Sequence, residues 1–368
     1  TENNLATKID QFFDAWQELS TNPSDLVLRD TVLQQGKVLS TTFNNMVEKL
    51  QTIQSNINDA IISGVEDINS KLEQIAELNS NIYQIEARGQ NANTARDQRE
   101  AIAQELAEAI GAESYENQNT TLSVQLPGGL PLVTGFDAMT IETETTGLDL
   151  KLVLDTGSIH RDIDIKQLGG KIAGQLDIRD RFIPSLLDGL DRLAYELSSQ
   201  VNYQHAQGIG LDNSTGLTFF SGPAATSTTP GTPPAATYAD AARNMSVIIT
   251  NSNQVAAGLT PDATGDNRNA LTIANIGETY LIDGSDDFNS YYGMMTSQAG
   301  IRANQNALNL EGAQDAVVQL ENLRDGYSGV SLEEEMVDLI VYQRGFESSA
   351  KFLSTVDEMM NTLIGLKQ

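Results

Sequence analysis

Between residues 39 and 75 the apolar side chains Leu39, Phe43, Met46, Leu50, Ile53, Ile57, Ile61, Val65, Ile68, Leu72 and Ile75 follow one another at steps of 4, 3, 4, 3, 4, 4, 4, 3, 4 and 3. Alternating threes and fours write a coiled-coil seam, and the run of fours is a stutter that locally unwinds a supercoil. Gly64 interrupts this stretch at a cost of about 1 kcal/mol relative to alanine. A helix unbroken from 24 to 87 would be roughly 95 Å long. Such a rod belongs to an elongated bundle, not to a compact enzyme core. Before it, Ile9, Phe12, Phe13, Trp16 and Leu19 share one face of a first amphipathic helix. At the break Thr21-Asn22-Pro23-Ser24-Asp25, asparagine is expected to cap the next helix and proline to open it.

Gly89 and Asn93 bracket a short turn, and Ile102, Leu106 and Ile110 carry a second arm back along the first as an antiparallel hairpin. From Glu113 the period changes to two. Leu122 to Leu126, Met139 to Thr145, Leu148 to Leu154 and Ile163 to Ile165 read as strands, with Pro127-Gly128-Gly129 as a turn. Acidic, Thr-rich outer positions suggest a small antiparallel sheet with one wet face. Helical spacing resumes at Gly169-Gly170 and continues through Leu197, with Pro184 expected to interrupt it. After Gln207 the chain is irregular, with a low-complexity loop at 223–238, a strand expected at Met245 to Ile249 and a short helix at Asn269 to Asn275.

The last third is helical again, from Asp287 to Leu323 and then from Ser331, which is placed to cap with Glu334. In the final helix Leu332, Met336, Leu339, Gln343, Phe346, Ala350 and Leu353 step by 4, 3, 4, 3, 4 and 3, and Met360 and Ile364 continue the row. The expected class is therefore α+β and elongated. Residues 1–112, 168–206 and 287–368 are expected to form one long antiparallel helical bundle from both chain ends. A β-rich insert at 113–167 and a mixed insert at 207–286 would protrude from it.

Composition removes several functions. Fifty acidic against 22 basic residues give a net charge of −28, a surface that repels phosphate, so neither nucleic acid nor an anionic membrane is an expected partner. Without cysteine there is no disulfide or thiolate chemistry. No apolar run approaches the roughly 18 residues that span a bilayer. The opening residues lack the layout of a signal peptide and begin without methionine, which reads as a chain whose natural start is missing.

No constellation suggests catalysis, a cofactor or a metal. His205 sits near a helix end, where capping or dipole interaction explains it, and His160 lies between strands. Gly208-Ile209-Gly210 follows a helix and has Asn213 where a dinucleotide loop needs glycine. The acidic turns Asp262 to Asp266 and Asp283 to Asp287 lack calcium-hand spacing and read as ordinary tight turns. Arg96-Asp97 and Arg99-Glu100 form either a solvated charge pattern or an interhelical lock. The former is the plainer reading, because exposed ion pairs stabilise by only about 0–1 kcal/mol.

The run SLEEEMVDLIVYQRGFESSAKFLSTVDEMMNTLIGLKQ from Ser331 resembles the closing helix of flagellar rod, hook and hook-associated proteins. GGKIAGQLDIRDRFIPSLLDGLDRLAYELSSQVNYQHAQG from Gly169, FFDAWQELSTNPSDLVLRDTVLQQG near the start and the hairpin NANTARDQRE are similar to segments of the hook-associated protein 1 family. That family opens with a further helical stretch absent here, so part of the final seam is expected to be exposed or frayed. The resemblance implies a structural subunit of the flagellum that joins hook to filament and works in a helical lattice of about a dozen copies. It implies export through the flagellar type III channel and a location outside the cell. The implied partners are hook protein, the second junction protein, a cytosolic export chaperone and further copies of itself. The expected bundling face is Leu332, Met336, Leu339, Phe346, Leu353 and Met360. Rival readings are another axial subunit (hook, rod or flagellin-like), a subunit with a hydrolytic insert, and a helical interaction module unconnected with motility.

Overall fold

The computed structural model describes residues 4–147, 149–157, 160–222, 238–279, 282, 285–328 and 332–365. Most of the low-complexity loop and the Asp283-Gly284 turn thus lie outside the described residues, as does Ser331 with its expected cap. The chain divides into two compact units, Thr1–Thr296 and Ser297–Gln368.

In the first unit, α1 (Leu5–Thr21) buries Ile9, Phe12, Phe13, Trp16 and Leu19, the face its spacing marks out. The next helix is capped by Asp25, whose carboxylate accepts the Val27 N–H at 2.7 Å; Asn22 instead closes α1. This helix, α2 (Leu26–Glu86), is a continuous 61-residue rod, roughly 92 Å long at 1.5 Å per residue. After a turn with Gly89 at φ +77°, α3 (Asn93–Ile110) packs back along it.

Two antiparallel sheets follow where one was expected. The first has the order β1 (Glu113–Glu116), β2 (Leu122–Gln125), β3 (Pro131–Thr134), β4 (Asp137–Ala138); the second has β5 (Thr140–Thr146), β6 (Asp149–Asp155), β7 (His160–Asp162). The strand expected at Ile163 to Ile165 is displaced. Asp164 caps a single 3-10 turn at Ile165–Gln167 by accepting the Lys166 N–H, so the ladder ends at Asp162. Helix α4 (Gly170–Asp177) runs through one π turn (Ile178–Phe182) into α5 (Ile183–Gln207), with Pro184 in the first turn after the irregularity.

Two apolar cores share α2. One joins the first half of α2 to α1 and α5. The other joins Ile61, Val65, Ile68, Leu72 and Ile75 to α3, α4 and the inner faces of both sheets. Between them the expected seam changes character. Ile53 is 47% exposed and Ile57 only half-buried, while Gln54 and Asn58 are buried. They meet the π turn, where buried Arg179 donates to Leu150 O at 2.7 Å and Asn58 Oδ1 at 3.3 Å and pairs with Asp180. The stutter falls at this polar waist, because a run of fours rotates the apolar row off the shared face.

Residues 207–286, expected as a separate mixed insert, instead complete the first core. Phe219, Phe220, Met245, Ile249, Val255 and Ile273 pack with Phe12, Trp16, Phe43 and Leu197. Helices α6 (Ala241–Asn244) and α7 (Arg268–Ile276) belong to this segment. The strand expected at Met245 to Ile249 is reduced to one bridge, Phe220 to Val247. Around that bridge Ile248 N–H donates to Phe219 O, and Ser246 O accepts the Ser221 N–H. Side chains serve the residues at and before the segment's start: Asn44 Nδ2 donates to the carbonyls of Ala242 and Met245, and Asp191 accepts the N–H groups of Asp240 and Ala242.

The hairpin and α4 are joined by bare backbone. Gly169 N–H donates to Ile110 O at 2.9 Å, and Gly170 sits at φ +58°. A Cβ on Gly170 would lie 2.3 Å from Glu108 O, so left-handed strain and a backbone clash combine there. Gly170→Ala is expected to destabilise the chain by about 2–4 kcal/mol. Urea unfolding checks this, and Gly174→Ala, where a Cβ meets open space, serves as control.

Candidate assembly surface

Helix α8 (Phe288–Ser328) begins in the first core, where Phe288, Tyr291 and Met295 are buried. From Ser297 it belongs to the second unit with α9 (Leu332–Gly365). Here the burial pattern inverts. Of the expected bundling face, Met336, Leu339, Phe346, Leu353 and Met360 are all exposed, Phe346 by 78%. The side chain of Leu332 lies outside the described residues. Along α8, Ile301, Leu308, Leu310, Val317, Leu320 and Leu323 are exposed as well.

The apolar surface of α9 is wider than the seam read from heptad spacing. Met336, Val337, Leu339, Ile340, Val341 and Tyr342 are all exposed, by 46–77%, and Asp338 alone interrupts them. Seven consecutive residues cover two helical turns, so this segment is apolar on every side but the one Asp338 occupies. A helix of that kind is stable in water only when neighbours surround it. A two-helix seam would require one stripe; a face this wide requires a multi-helix interior. The signal was legible as the near-unbroken run MVDLIVY, which reading by heptads alone passes over. Contiguous exposed apolar surface on a soluble chain marks an interaction site. Beyond the run, Arg344, Glu347, Lys351, Asp357 and Glu358 interleave with the apolar row.

Several polar groups of the first unit hold its elements together. Arg96 bridges the hairpin, holding Glu86 at 2.7 Å and Glu116 at 2.8 Å, and Arg99 is buried against Asn79 Oδ1 and Thr120 O. The interhelical lock therefore replaces the solvated charge pattern, since both guanidiniums reach across to β1 and the turn after it. The Arg96 guanidinium holds the Glu86 carboxyl below its ordinary range. Asn79 also accepts the Leu122 N–H and donates to Leu122 O and Gly135 O, bridging the ends of β2 and β3. Asn69 exchanges two hydrogen bonds with Ile141 on the edge strand β5, where it stands in for a missing neighbour. Asp266 accepts the N–H groups of Leu259 and Thr260 and pairs with Arg268, which accounts for the acidic turn at 262–266. Among the described residues no group of three or more His, Asp or Glu could hold a metal ion. No described helix is long and apolar enough to cross a membrane.

His205 is fully buried beside Trp16 and Phe219. Its Nδ1–H donates to Leu217 O at 2.7 Å, and its Nε2 accepts the Ala256 N–H at 3.0 Å, which fixes one neutral tautomer. Burial, with the nearby Arg29 charge adding to it, lowers its pKa from 6.5 to about 4. The folded value lies below the unfolded one, so the unfolded chain binds more protons between them. The contribution to stability is full above pH 6.5 and is lost as pH falls towards 4. Unfolding free energy is expected to fall by roughly 3 kcal/mol more across that window than in His205→Gln. Urea titrations at the two ends of the window measure it.

The family model described as the helical domain of the flagellar hook-associated protein FlgK matches residues 1–220. A second, described as the C-terminal part of the flagellar basal body rod FlgEFG proteins, matches residues 326–366, the stretch that contains α9. The chain is 26% identical to flagellar hook-associated protein 1 of Bacillus subtilis, over 99% of this chain and 76% of that protein. It is 24% identical to flagellar hook-associated protein 1 of Escherichia coli, over 99% of this chain and 81% of that one. In fold it is similar to the flagellar hook junction protein FlgK from Burkholderia pseudomallei. The TM-score is 0.76 at 17% identity, covering 89% of this chain and 94% of the other.

Proposed function

From the premise that the chain belongs to the family of the flagellar hook-associated protein FlgK, we propose that it assembles through α8 and α9 while the first unit serves as a body that does no chemistry. It is a structural subunit of the bacterial flagellum at the junction between hook and filament. The observation that carries the assembly reading is the exposed segment Met336 to Tyr342, apolar on every side but that of Asp338, on a chain whose net charge is −28. Long-range repulsion between such acidic subunits opposes casual association, so only specific apolar burial can drive the lattice.

Leu332, Met336, Leu339, Phe346, Leu353 and Met360 form the bundling row in this reading, with Val337, Ile340, Val341 and Tyr342 meeting further helices. Heterologous contacts repeated along an open lattice connect copies of the chain to each other, to hook protein on one side and to the second junction protein on the other. Before assembly the apolar helix needs cover, which a cytosolic export chaperone supplies until the chain passes through the type III channel.

The test is position. An antibody against the first unit, applied to intact flagella, is expected to decorate a short zone at the hook–filament boundary. Decoration along the hook, the rod or the filament would assign the chain to another axial layer.

A further inference from the structure

Three of the eight methionines stand on α9: Met336 and Met360 in the bundling row and Met359 beside it. They are 62%, 57% and 57% exposed, whereas Met245 and Met295 lie in the first core at 3% and 9%. Resting on the assembly reading above, we infer that Met336, and separately Met359 and Met360, are oxidation sites through which peroxides inactivate the subunit before it assembles. The thioether is apolar and polarisable, which suits it to a helix–helix interface whose partners must fit closely. A sulfur lone pair attacks one oxygen of hydrogen peroxide. The S–O bond forms as the O–O bond breaks, and after a proton transfer the second oxygen leaves as water. Sulfur is oxidised by two electrons and the peroxide reduced by two. The product sulfoxide is polar and chiral, and it would stand in the middle of a face that must be dry.

Position makes the modification state-dependent. On a chain released from its chaperone and not yet assembled the three sulfurs face solvent; under the chaperone and in the bundle they are covered. Oxidation then removes unassembled subunits from the pool and spares those already in place. Leucine fills a similar volume without a sulfur, so a row lacking methionine would bundle and resist the oxidant. The chain carries its own controls, because Met294 is 43% exposed but stands in the first unit, outside the bundling row.

The experiment treats the purified full chain with hydrogen peroxide and maps sulfoxides by peptide mass spectrometry. Wild type, the triple variant Met336→Leu, Met359→Leu, Met360→Leu, and Leu339→Glu with Phe346→Glu are then compared for addition to isolated flagella. Sulfoxide is expected at Met336, Met359 and Met360 on the order of 10-fold faster than at Met245 and Met295, in step with their exposure. Treated wild type should add about 5-fold less well than untreated, and the triple variant should lose less than about 2-fold although Met294 is oxidised in it. Treated wild type adding as well as untreated, or equal rates at all sites, would overturn the proposal. Untreated Leu339→Glu, Phe346→Glu adding normally would instead overturn the assembly reading on which it rests.

Discussion

Replacing Leu339 and Phe346 together by glutamate is expected to abolish incorporation of the chain into flagella while leaving its first unit folded. Both side chains are exposed on the isolated chain, by 58% and 78%, so the substitution removes no packing there. Surface changes of that kind usually fall within about ±0.5 kcal/mol. In the bundle each residue would contribute about 1.5–3 kcal/mol of burial. Each new carboxylate would also carry a desolvation penalty of several kcal/mol where no cation faces it. Together these exceed about 8 kcal/mol per subunit, more than a 10⁵-fold loss in any association constant. Motility and the number of subunits per flagellum read the first effect; the urea midpoint of the purified chain reads the second. Asp97→Lys with Glu100→Lys changes charge on an exposed helix face elsewhere and should leave assembly intact.

The largest effect on folding is expected from Asn202→Ala. Asn202 is fully buried in α5. Its Oδ1 accepts the N–H groups of Phe219 at 2.9 Å and Phe220 at 2.7 Å, and its Nδ2 donates to Phe220 O at 3.0 Å. One amide therefore holds the two phenylalanines whose rings contact Phe12, and Phe219 further contacts Trp16 and His205. Alanine leaves two buried N–H donors without that acceptor, at about 1–3 kcal/mol each, and opens a small void. A loss of about 3–5 kcal/mol is expected in urea unfolding, together with a weakened near-ultraviolet signal from Trp16, the single tryptophan. A loss below about 1 kcal/mol would mean that these loops are held by burial and not by the amide.

Periodicity carried much of the helical architecture. The buried face of α1 is the row Ile9, Phe12, Phe13, Trp16 and Leu19, and the seam of α2 holds at Leu39 and Phe43 and again from Ile61 to Ile75. It fails at Ile53 and Ile57, where spacing alone treats every apolar residue as a core residue. Gln54 and Asn58 lie buried there because Arg179, 125 residues from Gln54 along the chain, supplies both polar partners: its carbonyl accepts from Gln54 Nε2 and its guanidinium donates to Asn58 Oδ1. No local pattern contains that information. The same holds for residues 207–286, which have no period to read. Their loops are held by single side chains from distant helices, among them Arg29, which donates to Pro23 O and Val255 O, and His205. Arg96 and Arg99 looked like solvated charge because their partners, Glu116 and the Thr120 carbonyl, become neighbours only once β1 folds against the hairpin.

For the assembly surface the situation was the reverse. The heptad row of α9 proposed here for bundling was legible in the spacing, and the C-terminal run carried a family resemblance that the match at 326–366 bears out. What heptad counting passed over was that Val337, Ile340, Val341 and Tyr342 widen the row into a collar broken at Asp338. A seam model asks which residues face one partner, whereas this composition asks how many partners there are.

Because the chain has no cysteine, a single introduced thiol is a unique probe of where that collar lies in the organelle. Phe346→Cys, carried by flagellated cells and read in intact flagella, tests the central claim directly. The account predicts that the thiol is shielded from a membrane-impermeant maleimide and forms oxidative or short-linker cross-links to neighbouring axial subunits. A thiol at position 346 that labels as fast in intact flagella as in the purified chain, and cross-links to nothing, would contradict it.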